Sequence, residues 1–425
     1  MEYNSFTLHN YKAIPQLSKL TPAQIEAIEV VGRVLPFKTN NYVIDELINW
    51  DNIPDDPLFT LTFPRSEMLP ATAYNKVKFL LENKADKEIL KREIEKIRIK
   101  LNPNPAGQEY NIPMLGEVKL KGVQHKYRET VLFFPAQGQT CHAYCTFCFR
   151  WPQFSGMSSL KFHMKEADLL YQYLDSHKKV SDILFTGGDP MTMSASILTS
   201  YILPLLSERF SHIRTIRIGT KSLAYWPYRY LSDKDAPELL ALFRQVVASG
   251  RNLAIQAHFN HPAELSTSAV KEAVQRIRNT GAQIRTQSPL LKHINDKPET
   301  WSEMWRKQVD MNMIPYYMFV ARDTGSKTFF ELPLERCWRI FRDAYSHVSG
   351  VCRTVRGPSM STEPGKIQIV GMSEVKGEKI FVLRFLQGKK SRWVDVPFFA
   401  RYDPYATWFD QLHPAFGEEK FFFEK

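Results

Sequence analysis

Along the first hundred residues apolar positions recur at helical spacing, from Pro22 to Leu35 and again from Ala71 through the charged stretch KADKEILKREIEKIRIK. A spacing of three to four keeps apolar side chains on one face, so these segments predict amphipathic helices and a helical N-terminal lobe. The lobe is expected to end at NPNPAGQ, where prolines and a glycine break the pattern and suggest a linker.

From Thr130 the period changes. Short β-branched or aromatic runs alternate with amphipathic stretches, giving six strand candidates: VLFFP from Val131, DILF from Asp182, IRTIRIG from Ile213, LAIQAHF from Leu253, QIRTQS from Gln283 and IPYYMFV from Ile314. A helical segment follows each, such as DAPELLALFRQVVAS and PLERCWRIFRDAYSHV. Strand–helix alternation implies a parallel sheet with right-handed crossovers, and six units suit a partial (β/α)6 barrel open on one side. After Ser349 the chain reads as loop and then short strands, KIQIVG, KIFVLRF and SRWVDV, before the aromatic tail EEKFFFEK. The expected organisation is therefore α/β, with a helical lobe over 1–110, the partial barrel over 111–348 and a small β-containing C-terminal extension over 349–425.

With 44% hydrophobic and 24% charged residues in 425, the chain can bury a full core, which excludes a disordered protein. The excess of 56 basic over 45 acidic residues gives +11, spread without a block of like charge. A basic solvated surface explains it. The sharper reading is an acidic protein partner, and nucleic acid comes last because no RNA motif or basic arm is present. The start MEYNSFTLHNYKAIPQ lacks the basic and apolar regions of a leader, and no run approaches the ~18 apolar residues of a membrane helix. A cytoplasmic protein without membrane association is expected. Five cysteines, three of them within eight residues, make no disulfide framework and suggest metal ligation in a reducing compartment.

Those three stand in CHAYCTFC as C-x3-C-x2-C, in the loop after the first predicted strand, which is the C-terminal mouth where barrels keep their active sites. Three thiolates can hold three irons of a [4Fe–4S] cube and leave the fourth free for another molecule. Structural zinc normally takes four ligands. Cys337 and Cys352 lack a paired cysteine, and Cys337 lies on a helical pattern with Trp338 and Phe341 that suits a buried thiol. An iron–sulfur or zinc binding module without enzymatic activity stays open as a minor alternative.

C-x3-C-x2-C with an aromatic, Phe147, before the last cysteine resembles the signature of the radical S-adenosylmethionine superfamily. The resemblance implies a barrel of that type, a [4Fe–4S] cluster on Cys141, Cys145 and Cys148, and S-adenosylmethionine on the free iron, cleaved to a 5′-deoxyadenosyl radical. LFTGGDP follows the second strand, where the superfamily keeps a segment lining the methionine end of that cofactor, here Gly187, Gly188 and Asp189. Further ordered segments are similar to the lysine 2,3-aminomutase family: DDPLF, HKY, CFR, GGDPM, RIGTK, HFNHP, QSPLL, PYY and PGK, from Asp55 to Lys366.

By that resemblance Lys366 carries pyridoxal phosphate, with Tyr127 beside it; Phe147 and Gln287 face S-adenosylmethionine; and Arg150 pairs with the substrate α-carboxylate. Where lysine-specific members set two aspartates against the distal ammonium, this chain has Arg322 and Ser359, with Asp323 adjacent. Two departures are plain: STEPG precedes Lys366 in place of a run of glycines, and Thr130 stands where the family keeps a phosphate-contacting arginine, with Arg128 nearby. His258 and His261, ending the fourth strand, could face the cofactors or serve the structure. The implied activity is migration of an amino group from Cα to Cβ of a small-molecule amino acid, held as an imine on pyridoxal phosphate, with a glutamate-like substrate favoured over lysine. The alternative is a radical S-adenosylmethionine enzyme without pyridoxal phosphate. Implied partners are an acidic electron carrier such as flavodoxin and a second copy of the chain.

Overall fold

Thr21 begins the first helix. Its side chain accepts from the Gln24 amide while Gln24 reaches back to its backbone, and Pro22 supplies the preset φ of the first turn. The helix runs Pro22–Val34. The segment from Ala71 through the charged stretch forms two helices, Ala71–Glu82 and Lys87–Lys100, rather than one. Lys84 at φ 47° breaks the run, and Asp86 caps the new start by accepting from the Glu88 and Ile89 amides.

The structure, a computed structural model, describes residues 1–103, 111–157 and 161–425. The expected linker NPNPAGQ lies, from residue 104 onward, outside the described residues. Two small antiparallel pairs flank the main sheet: β1 (Ser5–Thr7) with β2 (Lys38–Asn40), and β3 (Met114–Leu115) with β4 (Val118–Lys119).

All other strands join one eleven-stranded sheet running in sequence order from β5 to β15. They are β5 (Val123–Tyr127), β6 (Thr130–Phe133), β7 (Asp182–Phe185), β8 (Thr215–Thr220), β9 (Asn252–His258), β10 (Gln283–Leu290), β11 (Ile314–Val320), β12 (Arg356–Ser361), β13 (Gly365–Val375), β14 (Glu378–Gly388) and β15 (Pro397–Arg401). β6 to β12 are parallel; β5 at one edge and β13 to β15 at the other are antiparallel. The six expected strands are all present, with helices such as Ala236–Ala248 and Leu334–Ser346 between them. A seventh parallel strand, RGPSMS, was not expected, because glycine and proline inside a run argue against a central strand. SRWVDV is not a strand: Ser391–Trp393 is a single helical turn, and the edge strand is the following PFFAR.

Period-two alternation gives each parallel strand two different faces. Val131, Phe133, Ile183, Phe185, Ile216 and Ile218 are fully buried in the apolar core. Their neighbours Leu132, Leu184, Arg217, Gln256, Gln287 and Tyr317 border one cavity of about 820 Å³. Residues of β5 to β14 line it together, so the sheet curls around it without closing on itself. The aromatic tail packs home on this sheet, Phe423 lying 5.0 Å from Phe385 and 5.5 Å from Phe398 between ring centroids. Among the described residues no helix is long and apolar enough to cross a membrane.

Candidate active site

The cysteine loop follows β6 and is held from outside by the N-terminal segment. The Tyr144 amide donates to the Lys38 carbonyl at 2.8 Å and the Thr146 amide to the Leu61 carbonyl at 3.0 Å. Lys38 Nζ donates to the Cys141 carbonyl at 2.8 Å, while Tyr3 Oη and Asn40 Nδ2 both donate to the His142 carbonyl, at 2.7 and 3.1 Å. Main-chain groups that a loop would otherwise leave to water are thereby satisfied, and Cys141, Cys145 and Cys148 line the cavity wall. Burial pushes all three thiols up, Cys145 to about 11 and Cys148 to about 12, with Cys141 raised further by Asp189 and by the other two sulfurs. They therefore stay protonated until a metal displaces the proton.

The GGD turn after β7 packs directly on this loop. A Cβ on Gly188 would sit 2.5 Å from the Thr140 nitrogen and closer still to its carbonyl oxygen; Gly187, at φ +146°, has the Gln139 amide against it. The glycines permit close approach of the cysteine loop itself, and the Asp189 amide donates to the Thr140 carbonyl at 2.6 Å. The Asp189 carboxylate is spent within the protein: it accepts from Thr220 Oγ1 at 2.6 and 2.8 Å, the Lys221 amide at 2.9 Å and the Met191 amide at 2.9 Å. Asp189 thus joins the turns after β7 and β8.

Across the cavity the wall carries both charge signs, with Asp323, Glu363, Asp410 and Glu424 lining it beside several buried cations. Lys366 opens β13 with its Nζ 4.0 Å from the centre of the Tyr317 ring; burial, then Arg217 and Arg356, bring its ammonium down to about 7. Lys126 is lowered to about 7 by burial and by Arg322, Lys389 and Lys366, and its Nζ donates to the Thr362 carbonyl, bridging from edge strand β5 to the loop before β13. Arg150 lies 4.2 Å over the Phe134 ring, with burial lowering it to about 10. Arg322 sits between Phe149 and Trp408, at 5.7 and 5.3 Å, donates to the Ser361 carbonyl at 2.8 Å and lies 3.6 Å from Asp323. Arg217 is paired with Asp182 and Lys221 with Glu264. Among the described residues no carboxylate is in ion-pair contact with Lys126, Arg150 or Lys366.

Buried polar atoms in the lining also lack partners among the described residues: Arg150 Nη1, both amide atoms of Gln256, and His258 Nε2. Such atoms are costly to leave unmade, and a polar ligand in the cavity satisfies them. Among the described residues no three His, Cys, Asp or Glu side chains stand ready around a single metal ion; a cube takes its thiolates on three separate irons and sets no such requirement. The three thiols fit a [4Fe–4S] cluster, and the amine of Lys366 beside Lys126 is chemically compatible with an anionic aldehyde.

No family model matches the chain. A protein of Aquifex aeolicus carrying the provisional name L-lysine 2,3-aminomutase is 31% identical over 394 residues, 92% of each chain. The chain belongs to the lysine 2,3-aminomutase family of the radical S-adenosylmethionine superfamily. It is a divergent member: the L-lysine 2,3-aminomutase of Clostridium subterminale is 27% identical over 254 residues, 60% of this chain and 58% of that one. Among solved structures, a radical SAM methyltransferase from Sphaerobacter thermophilus covers 55% of the chain and 68% of its own at 14% identity, with a TM-score of 0.37.

The cavity brings together Cys141, Cys145, Cys148, Phe147, Gly187, Gly188, Asp189, Gln287, Tyr127, Lys366, Arg150 and Arg322. Ser359 does not line it: the side chain is fully buried in β12, with its hydroxyl donating to the Met318 carbonyl at 3.4 Å. Asp323 lines it instead, so both charge signs meet at the position where the aminomutase resemblance put Arg322 and Ser359. His258 faces the cavity, 5.7 Å from the Phe147 ring, and burial holds it neutral; His261 caps a short helix by accepting from the Ala263 amide. Arg128 is exposed and absent from the lining, whereas Thr130 is in the wall with its hydroxyl given to Asp182. Sequence reasoning missed Lys126, Gln256, Tyr225 and Trp408. A cue existed for the first: Lys126 is the middle of HKY.

Proposed function

We propose that the protein is a radical S-adenosylmethionine 2,3-aminomutase acting on an amino acid whose far end is anionic rather than on lysine. The reading includes the partial-barrel fold type and the three-part division at 110 and 348. The observation that carries it is the convergence of the three thiols, the GGD turn and a half-buried lysine on one cavity, in which Lys126 and Arg150 have no carboxylate in ion-pair contact among the described residues although Asp323, Glu363, Asp410 and Glu424 also line it. When bound, the cluster and S-adenosylmethionine supply a carbon radical, and pyridoxal phosphate supplies the carbonyl that takes up the amino group.

The chain's own residues supply the rest. Lys366, with its ammonium at about 7, has a substantial share of neutral amine at physiological pH, the form that attacks an aldehyde. Arg150 offers a planar fork to the substrate α-carboxylate, with Nη1 still unpartnered. Arg322, packed between Phe149 and Trp408, meets the far end of the substrate; the aromatic walls around it exclude water, which strengthens each charge contact. An electron must reach the cluster from outside, and the net charge of +11 suits an acidic carrier.

The test is anaerobic reconstitution of wild type and Lys366→Ala with iron, sulfide and pyridoxal phosphate, followed by incubation with S-adenosylmethionine and amino acids bearing carboxylate, amide or ammonium ends. Lysine-dependent visible absorbance of the bound pyridoxal, and a β-amino acid formed from the carboxylate substrate, are expected. Cluster absorbance and adenosylmethionine cleavage with no Lys366-dependent band would favour the pyridoxal-free reading, which the hydroxyl of Thr130, committed to Asp182, supports.

A further inference from the structure

Tyr225 closes the short helix Ser222–Tyr225 that follows β8, fully buried against the cysteine loop. Its hydroxyl oxygen lies 3.6 Å from Cys145 Sγ, and with the thiol protonated the sulfur is the donor. Side chain and main chain of Tyr225 are each held by a neighbour. Lys221 Nζ sits 4.4 Å over its centre, held by Glu264 Oε1 at 2.6 Å and Asn260 Oδ1 at 2.9 Å. Asn40 Nδ2 donates to the Tyr225 carbonyl at 3.0 Å and to the His142 carbonyl at 3.1 Å, tying this helix to the cysteine loop through one side chain.

We propose that Tyr225 is a positioning residue for the iron–sulfur cluster, donating a hydrogen bond to the Cys145 sulfur and raising the reduction potential of the cluster. This rests on Cys145 being an iron ligand. A ligating sulfur has lost its proton, whereas a phenol keeps its own at neutral pH. The one hydrogen left in the contact belongs to Tyr225, so the direction of the bond reverses on loading. Reduction adds one electron, much of whose charge falls on the sulfurs, and a donor to sulfur stabilises the reduced cluster more than the oxidised one. The Lys221 cation behind the ring acts in the same direction, opposed in part by the Glu264 carboxylate that holds it in place. The cluster must be reduced before the proposed chemistry can begin, so this contact bears on how strong a reductant the enzyme requires.

Tyr225→Phe keeps the ring and removes the donor. The test is a redox titration of reconstituted wild type and variant, followed by the electron paramagnetic resonance signal of the reduced cluster in the absence of substrate. The expected result is a lower potential in the variant, on the scale of a tenfold weaker hold on the electron, about 59 mV for a one-electron couple. Equal potentials in two equally loaded proteins overturn the proposal and leave the aminomutase reading standing; wild type that takes up no cluster overturns both. Should the variant fail to load, the wild type alone decides through the Fe–S(Cys) stretching frequencies of the cluster in H2O and D2O. A shift on exchange supports a hydrogen bond to sulfur, and no shift overturns it.

Discussion

The two ends of the cavity are built on different principles. At the cysteine end the main chain does most of the holding. Carbonyls of the loop are taken by Lys38, Asn40 and Tyr3, its amides by Lys38 and Leu61, and two glycines allow the next turn to lie against it. At the Lys366 end the wall is made of long charged side chains, Lys126, Arg150, Arg322 and Lys366, buried against aromatic rings. The first arrangement is rigid and indifferent to what the substrate is. The second carries a desolvation cost that the lining carboxylates Asp323, Glu363, Asp410 and Glu424 offset in part and an anionic ligand would offset further, so it is where substrate and cofactor selectivity is expected to lie.

If that contrast is right, the largest effects come from the cysteine end. Cys148→Ala removes one of three ligands, and loss of cluster absorbance and of adenosylmethionine cleavage is expected, measured by iron content and 5′-deoxyadenosine release. The fold should survive, since Cys148 is only half-buried, its side chain packing at the margin of the core rather than within it. Gly188→Ala tests the rigid half without touching a ligand. Its methyl meets backbone, which cannot swing away, so about 1–3 kcal/mol of stability should be lost. Denaturant unfolding gives that figure, and iron content after gel filtration should fall with it. A glycine serving only an open turn would show neither. Gly350→Ala, likewise outside the positive-φ region but with nothing within 4 Å, is the control for adding a methyl alone.

The next effect lies at the cationic end. Arg322→Met keeps much of the stem that packs against Trp408 and removes the charge, leaving Asp323 as the charged group beside it. A substrate carboxylate there loses a charge-assisted bond worth about 1.5–3 kcal/mol, so kcat/KM for the anionic amino acid should fall roughly tenfold to a hundredfold. Turnover of an amino acid with a cationic end should fall less or rise. An equal loss for both classes would mean that Arg322 serves packing, and the contrast between the two ends would lose its main support.

Legibility followed the same division. The cysteine motif, the GGD turn and the six strands were readable because each is local: spacing, glycine pairs and period-two alternation all lie within a few residues. What lies behind the loop was not readable, since Lys38, Asn40 and Leu61 meet it from roughly a hundred residues away. The same holds at the far end, where Lys126 reaches Thr362 and Trp408 covers Arg322 through sheet pairings no local pattern encodes. Ser359 shows the converse. Ungapped register placed it beside Arg322, but its side chain is fully buried within β12 with the hydroxyl on the Met318 carbonyl, while Asp323, just after β11, lines the cavity. RGPSMS was lost as a strand because its composition speaks for a turn; pairing with β11 and β13 overrides that preference.

The smallest effect is also the most specific to the cationic end. Lys366 ordinarily would hold its proton to 10.5; burial and the facing Arg217 and Arg356 bring it to about 7, against the opposing pull of Tyr316. Only the neutral amine attacks an aldehyde, so the rate of pyridoxal phosphate uptake should rise about tenfold per pH unit below the midpoint and level off above it. Stopped-flow absorbance at several pH values gives the profile. Arg356→Met removes one facing cation, which lets Lys366 keep its proton longer and moves the midpoint towards alkaline pH. A wild-type rate still rising beyond pH ~9, as an unperturbed lysine would give, means that the amine is solvated rather than buried among cations. In that case the charge of the far wall is screened by water, and the selectivity attributed to Arg322 should be correspondingly weak.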